Sequence, residues 1–471
     1  MYDAVVVGAG PNGLTAAITL AEAGRSVLVI EQALVIGGGA RSAELTLPGF
    51  IHDICSTVHP LGITSPAFRR MPLAAHGLDW IQPPAAVAHP LAGGEAAILE
   101  RSVRATAALL GRDGAAYRAL FGSLAARWEA LAPELLGPII HLPRHPFLLA
   151  RFGLPALLPA STLARRAFRD DAARALFAGI AAHVTMPLDR SPSAAFGFVL
   201  ALAGHAVGWP LVRGGSQQLV SALASYLRSL GGEIVTDTLV TDLADVPAAR
   251  AILLDVTPQQ FLRIGGDRLP AGYRRQLSRY EYGLGTFKVD WALDGPIPWL
   301  APECHRAATI HLGGTLDEIE ASRRAETTGQ TAAEPYVLLV QPTPFDPSRA
   351  PEGKHVAWGY CHVPLNSTVD MTARIEAQIE RFAPGFGGTI LARHTFGPAA
   401  LEAHNPNLVG GDIGGGESTL GQVLFRPTVR RTPYATPLPQ VFLCSASTPP
   451  GGGVHGMSGY HAAQAALRRC W

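Results

Sequence analysis

The sequence predicts an α/β fold: a parallel sheet bearing glycine-rich turns, interwoven with a second, α+β domain built of a mixed sheet and a helical cap. Three observations predict it. A strand, a glycine turn, a helix and a second strand fill the first 31 residues. A strand, glycine turn and helix recur over residues 440–470, and residues 284–293 (LGTFKVDWAL) between them alternate with the period of a strand.

Residues 3–7 (DAVVV) are a short β-branched apolar run, the pattern of a parallel strand buried on both faces. They enter Gly8-Ala9-Gly10-Pro11-Asn12-Gly13. Leu14, Ala17, Ile18, Leu20 and Ala21 then fall at helical spacing, and Gly24 stops the helix. Residues 26–30 (SVLVI) form the second strand and run into Glu31. In such a unit Gly8 permits the tight turn, Gly10 lets backbone amides approach a pyrophosphate, and Gly13 lets helix and strand pack closely. The helix N-terminus faces the phosphates with its positive dipole end. Glu31 stands where a carboxylate accepts the ribose hydroxyls, and an acid there disfavours the 2′-phosphate of NADP.

The next loop separates FAD from NAD. Gly37-Gly38-Gly39-Ala40-Arg41-Ser42 follows Glu31 closely. A simple NAD dehydrogenase has no need of a glycine turn with an arginine there. FAD has a longer diphosphate–ribityl chain to pass along it, with Arg41 to neutralise phosphate charge. FAD is therefore the expected cofactor, with Gly8, Gly10, Pro11, Asn12, Gly13, Glu31, Gln32, Gly38, Gly39 and Arg41 as its N-terminal contacts.

In the middle of the chain, residues 214–230 read as a helix opened by Ser216, with Leu219, Leu223 and Leu227 on one face and Gly231-Gly232 as its end. Residues 233–243 (EIVTDTLVTDL) alternate like an edge strand, and residues 251–256 (AILLDV) return as a core strand. In residues 284–293, Phe287, Val289 and Trp291 face one way and Thr286, Lys288 and Asp290 the other. Residues 336–341 and 356–363 are the expected sheet partners, and residues 371–382 an amphipathic helix over that sheet. Residues 71–204 are read as the helical part of this second domain. Within them, residues 135–169 contain no acid but hold Arg144, Arg151, Arg165, Arg166 and Arg169, with five prolines among leucines and phenylalanines. Such a segment can cap an apolar pocket, lie on an anionic membrane surface, or be a plain loop; the prolines preclude one long amphipathic helix.

At the far end, residues 440–444 (QVFLC) form a buried-type strand. STPPGGGVHGMSGY follows at 447–460, then an alanine-rich helix. Backbone N–H groups are again free at a helix start, here facing a flavin's pyrimidine edge. The N-terminal unit, GGGARS at 37–42 and STPPGGGVHGMSGYHAA at 447–463 resemble the phytoene desaturase-like, FAD-dependent branch of the amine-oxidase superfamily. Within it they resemble the group of pyridine nucleotide-disulphide oxidoreductase domain-containing protein 2. The likeness extends to Gly208-Trp209-Pro210, Arg213-Gly214-Gly215-Ser216 and Phe287-Lys288-Val289-Asp290. It implies a glutathione-reductase-like FAD-binding Rossmann domain from residues 1–70, 205–265 and 430–471, and a substrate domain from 71–204 and 266–429. It also implies adenine contacts from the Val240 backbone and further cofactor contacts at Ser447, Val454, Gly456 and Met457. The sequence departs from dithiol flavoenzymes: it has no second GxGxxG of the kind that would hold NAD(P)H and no CxxxxC pair, and Ser445-Ala446-Ser447 stands where many such proteins carry an acid.

Composition sets the outer limits. The 471 residues carry 38 Lys+Arg against 37 Asp+Glu, a net charge of +1, so sequence-independent nucleic-acid binding is not expected. Hydrophobic residues at 48% exclude global disorder. The five cysteines are scattered, so neither a metal site nor a disulfide framework is expected, and a reducing cytoplasmic setting follows. The candidates for chemistry are His455 in the last glycine turn, His59 after the first cofactor loop, and Lys288, which shares a strand with Asp290 and so also reads as an ion pair. His183 is read as structural. The expected activity is removal of hydride from a hydrophobic organic substrate, forming C=C or C=N, with oxygen, a quinone or a protein as electron acceptor. A redox-neutral isomerase or saturase and a non-catalytic FAD-containing binding protein are the alternatives.

Overall fold

The computed structural model describes residues 2–471 and contains two principal sheets. The first is all parallel, in the spatial order Val441–Leu443, Ala251–Leu254, Ala4–Val7, Val27–Ile30, Glu233–Val235. Apart from the exposed edge strand Glu233–Val235, its strands are short and apolar on both faces because both faces are covered. Helices Pro11–Glu22, Gln217–Ser229 and Met457–Cys470 bury Leu14, Ile18, Leu219, Leu223 and Ala462 against one face. Pro258–Gly265 and Ala271–Leu277 bury Phe261, Ile264 and Tyr273 against the other. The first strand lies at the centre, so its C-terminal turn opens where ligands bind in such sheets.

The second sheet has seven strands in the order Ile390–Phe396, Gly285–Leu293, His355–Val363, Val337–Val340, Ala307–Leu312, Ala85–Pro90, Ala96–Leu99. Phe287, Val289 and Trp291 pack with Ile375 and Ile379 of helix Thr372–Phe382. The opposite face, through Leu338, Val340 and Trp358, meets a layer of helices between residues 103 and 207.

Three local expectations change. Residues 71–204 are not wholly helical: Ala85–Pro90 pairs in parallel with Ala307–Leu312 and carries Ala96–Leu99 with it, extending the mixed sheet. The edge strand at 233 stops at Val235. Asp237 takes a left-handed φ of 55° and Thr238 N–H donates to the Glu31 carbonyl, turning the chain back over the sheet end. Ser216 does not cap its helix; its hydroxyl donates to the Ser56 carbonyl instead. The 135–169 segment contains helices Pro146–Ala156 and Ala160–Ala167, bent by 94°. Among the described residues no single helix is long and apolar enough to cross a membrane.

Candidate functional site

The site is assembled by two glycine turns that two helices bring together. Gly8 has φ +103°, and helix Pro11–Glu22 begins at Gly10 with Pro11 at its first position and no side-chain cap. Its N-terminal amides are thus available to an anion. Gly13 is required by proximity: a Cβ there would sit 2.0 Å from the Gly8 carbonyl oxygen. Helix Met457–Cys470 likewise starts without a side-chain cap, at Gly456. It lies so close on the first helix that a Cβ at Gly459 would stand 1.8 Å from the Asn12 carbonyl oxygen. The two positive helix ends therefore converge on neighbouring points.

The first turn opens into a groove lined by Gly8, Gly10, Glu31, Gln32, Gly38, Arg41 and Val240. Pro11, Asn12, Gly13 and Gly39 stand behind it; Asn12 is buried with its amide oxygen unpartnered. Each Glu31 carboxylate oxygen accepts one backbone N–H, from Ala9 at 2.8 Å and Ala33 at 2.9 Å. That fixes the carboxylate and leaves lone pairs for hydroxyl donors. Arg41 donates to the Gly38 and His404 carbonyls, and burial lowers its basicity.

Sequence reasoning missed three side chains here: Asp255, Asn405 and Asn407. Asp255 follows strand Ala251–Leu254 and accepts the Gly13 N–H at 3.0 Å. Burial pushes its carboxyl up to about 7; the Gly13 bond opposes that shift and the Glu31 charge adds to it. An acid at the end of the fourth parallel strand in chain order was the available signal.

The second turn forms the floor of a cavity of about 540 Å³, to which Gly451, Gly452, Gly453 and His455 contribute. Leu149 and Phe152 of helix Pro146–Ala156 and Ala195 and Val199 of helix Ser193–Val207 roof it; His183, Thr185, His362 and Ile413 form a wall. Ser447, Val454, Gly456 and Met457 border this turn. The Ser447 hydroxyl donates to the Gly415 carbonyl at 3.1 Å, and the Met457 N–H donates to His455 Nδ1 at 3.0 Å.

The three residues singled out for chemistry divide. His455 reaches the cavity, but its Nδ1 lone pair is occupied and burial lowers its pKa to about 4, against the Gly452 and Gly451 carbonyls. It is a neutral ring with no free base at Nδ1. His59 does not line either space. Its Nε2 bonds Ser216 Oγ at 2.9 Å, its ring lies 6.0 Å from Trp80, and burial holds its pKa to about 4. It belongs to the packing under the cofactor loop, because Ser216, freed from capping, turns toward it. Lys288 is also absent from the cavity wall. Its ammonium donates to Asp290 and lies 5.0 Å from the Trp358 ring. Burial pushes Asp290 up to about 6, with Lys288 opposing.

The structure adds His183 and His362 instead. His183 Nε2 lies 2.9 Å from His311 Nε2, and both nitrogens of His362 lack protein partners. Burial, with the Arg323 charge, holds His183 to about 4 and His362 well below the ordinary imidazole range. Among the described residues no group of three or more His, Cys, Asp or Glu is arranged to hold a metal ion.

Comparison with known proteins agrees with this architecture. The NAD(P)-binding Rossmann-like domain family matches residues 6–71. An oxidoreductase from Methanosarcina mazei superposes over 99% of both chains at 14% identity with a TM-score of 0.66. Cyclohexylamine oxidase from Brevibacterium oxydans IH-35A does so over 100% of this chain and 98% of its own, at 16% identity and a TM-score of 0.60. Pyridine nucleotide-disulfide oxidoreductase domain-containing protein 2 of Mus musculus is 27% identical over 99% of this chain and 93% of its own length. The chain is thus similar over nearly its whole length to the pyridine nucleotide-disulfide oxidoreductase domain-containing 2 proteins, on a fold shared with amine oxidases.

Proposed function

We propose that the protein is an FAD-dependent oxidoreductase that takes hydride from a neutral, apolar organic substrate. The observation that carries this is the convergence of two uncapped helix N-termini, one on a nucleotide groove and the other on the floor of an apolar cavity. A dinucleotide with a redox ring at its far end fits that spacing of roles. The donor set fits FAD: backbone amides at Gly10–Gly13 for the diphosphate, Glu31 for the ribose, and Val240 for the adenine edge.

FAD, when bound, would supply a two-electron acceptor. The chain's own part is to orient, dry and hold protons. The Gly451–Gly453 turn and the Met457 helix end place positive dipoles beside the floor. The roof of Leu149, Phe152, Ala195 and Val199 excludes water and aligns apolar surface. His183 and His362 stand neutral in the wall, where an imidazole nitrogen can take the proton that leaves the substrate with the hydride.

A neutral substrate is favoured over an ammonium. Only Phe152 and Phe196 bring phenyl rings to the wall, too few for a cation cage. The one carboxylate there, Glu134, is engaged by His141, the Arg144 N–H and the His145 N–H. The test is spectroscopic. The purified or reconstituted protein should be yellow and release FAD on denaturation, and neutral apolar candidates should bleach it anaerobically. Failure to take up flavin refutes the cofactor; bleaching by primary amines alone refutes the substrate class.

A further inference from the structure

We propose that residues 139–157 are a membrane-docking surface that seats the cavity mouth on a bilayer containing anionic phospholipid. Large apolar side chains on soluble proteins are normally scattered over the surface. Here six crowd into one short segment: Leu142 is 93% exposed, Phe147 90%, Leu154 75%, Ile140 62%, Leu157 55% and Ile139 40%. Arg144 and Arg151 are exposed among them, and neither forms an ion pair among the described residues. Arg165, further along, is by contrast consumed by Asp317 and Glu320.

The tip is held in place. Glu134, buried beneath it, accepts the backbone N–H of Arg144 at 2.9 Å and of His145 at 3.1 Å, and pairs with His141. Its charge is therefore spent inward, and residues 135–169 offer no carboxylate to neutralise the arginines. Apolar prongs with uncompensated guanidiniums complement a layer of anionic headgroups over hydrocarbon. A second copy is a poorer occupant, since a two-fold interface would bring the same unpaired arginines toward each other.

Position supports the same occupant. Helix Pro146–Ala156 turns Leu149 and Phe152 into the cavity and Phe147 and Leu154 outward. Ile139, Leu157 and Leu420 both line the cavity and reach solvent, so the mouth opens beside the prongs. An apolar molecule could pass from hydrocarbon to cavity there without crossing water. That last step rests on the apolar-substrate reading; the docking surface itself does not.

Flotation of the purified protein with vesicles separates the two. Wild type should float with phosphatidylcholine vesicles containing about one quarter phosphatidylglycerol, less with phosphatidylcholine alone, and less as salt rises. The variant Leu142→Ser/Phe147→Ser/Leu154→Ser should lose roughly tenfold or more in vesicle partitioning. Arg144→Gln/Arg151→Gln should lose the preference for phosphatidylglycerol. None of these side chains is buried, so thermal midpoint and flavin content should be unchanged; a serine variant that is destabilised is replaced by Phe147→Ser alone, read the same way. Absence of vesicle binding by wild type, or full binding by the serine variant, overturns the proposal. So does a wild type that is dimeric and vesicle-free while the serine variant is monomeric, which would make the surface a self-interface.

Discussion

Gly459→Ala tests the convergence on which the site depends. The new Cβ would lie 1.8 Å from the Asn12 carbonyl oxygen, 2.7 Å from its carbon and 3.0 Å from the Ala16 nitrogen. All three are backbone atoms, so no rotamer change relieves the clash. Ordinary contact begins near 3.4 Å; the helices must therefore part by the difference, about 1.6 Å. Forcing one extra carbon into a packed core costs about 1–3 kcal/mol when side chains can yield. Here they cannot, so the upper end, about 3 kcal/mol, applies. The separation also pulls the Met457 helix end away from the Pro11 helix end. The variant should unfold at lower temperature and lose flavin at least tenfold more readily, read by thermal melting and by recovery of free-flavin fluorescence. Gly272→Ala is the control: nothing lies within 4 Å of its Cβ, and it is an exposed position of helix Ala271–Leu277, where alanine is neutral or stabilising. A Gly459→Ala protein with the melting temperature and flavin content of wild type would refute the reasoning.

Three further predictions use the titrating groups. Because His455 is held neutral, substrate reduction of the flavin should show no inflection between about pH 6 and 7 that His455→Gln removes; such an inflection in stopped-flow traces would restore it as a base. Asp255 has its carboxyl raised to about 7, above its unfolded value, so its contribution is fully present below pH 3.8 and is lost as pH rises through about 7. Asp255→Asn, whose amide oxygen can still accept the Gly13 N–H, should therefore flatten the fall in stability between pH 4 and 7 and be the more stable protein at pH 8, as measured by denaturant unfolding. Glu134 is held below the ordinary carboxylate range, chiefly by its bond with His141, so the order it gives the loop exists at neutral pH and fails as pH drops through that lowered value. Glu134→Gln should speed tryptic cleavage at Arg144 several-fold at pH 7, and an unchanged cleavage rate would show that the loop is held by something else.

What could be read in advance followed from how local each cause is. The Gly8–Gly13 turn, the buried strands Ala4–Val7 and Val27–Ile30 and the placement of Glu31 depend on contacts within about thirty residues, and their pattern is written contiguously. The mixed sheet was legible through the alternation at Phe287, Val289 and Trp291, which needs only one buried face to show. Ala85–Pro90 was not legible: its sequence is apolar without alternation, and only parallel pairing with Ala307–Leu312, more than two hundred residues away, decides that it is a strand. The same distance hides chemistry. His59 looked available because its neighbours in sequence are cofactor-loop residues, yet Ser216, far along the chain, engages it in the fold; the Lys288–Asp290 ion pair, two residues apart on one strand, was by contrast legible. His183 looked structural because it follows an apolar helical stretch, Asp171–Ala181, yet the cavity is defined by helix Ser193–Val207 and the Gly451–Gly453 turn closing around it. The binding half of the site is thus a property of segments, and the reacting half a property of their meeting. Substitutions should separate accordingly: at Gly8–Gly13 they act first on cofactor retention, whereas at His183 or His362 they act on turnover with cofactor retained.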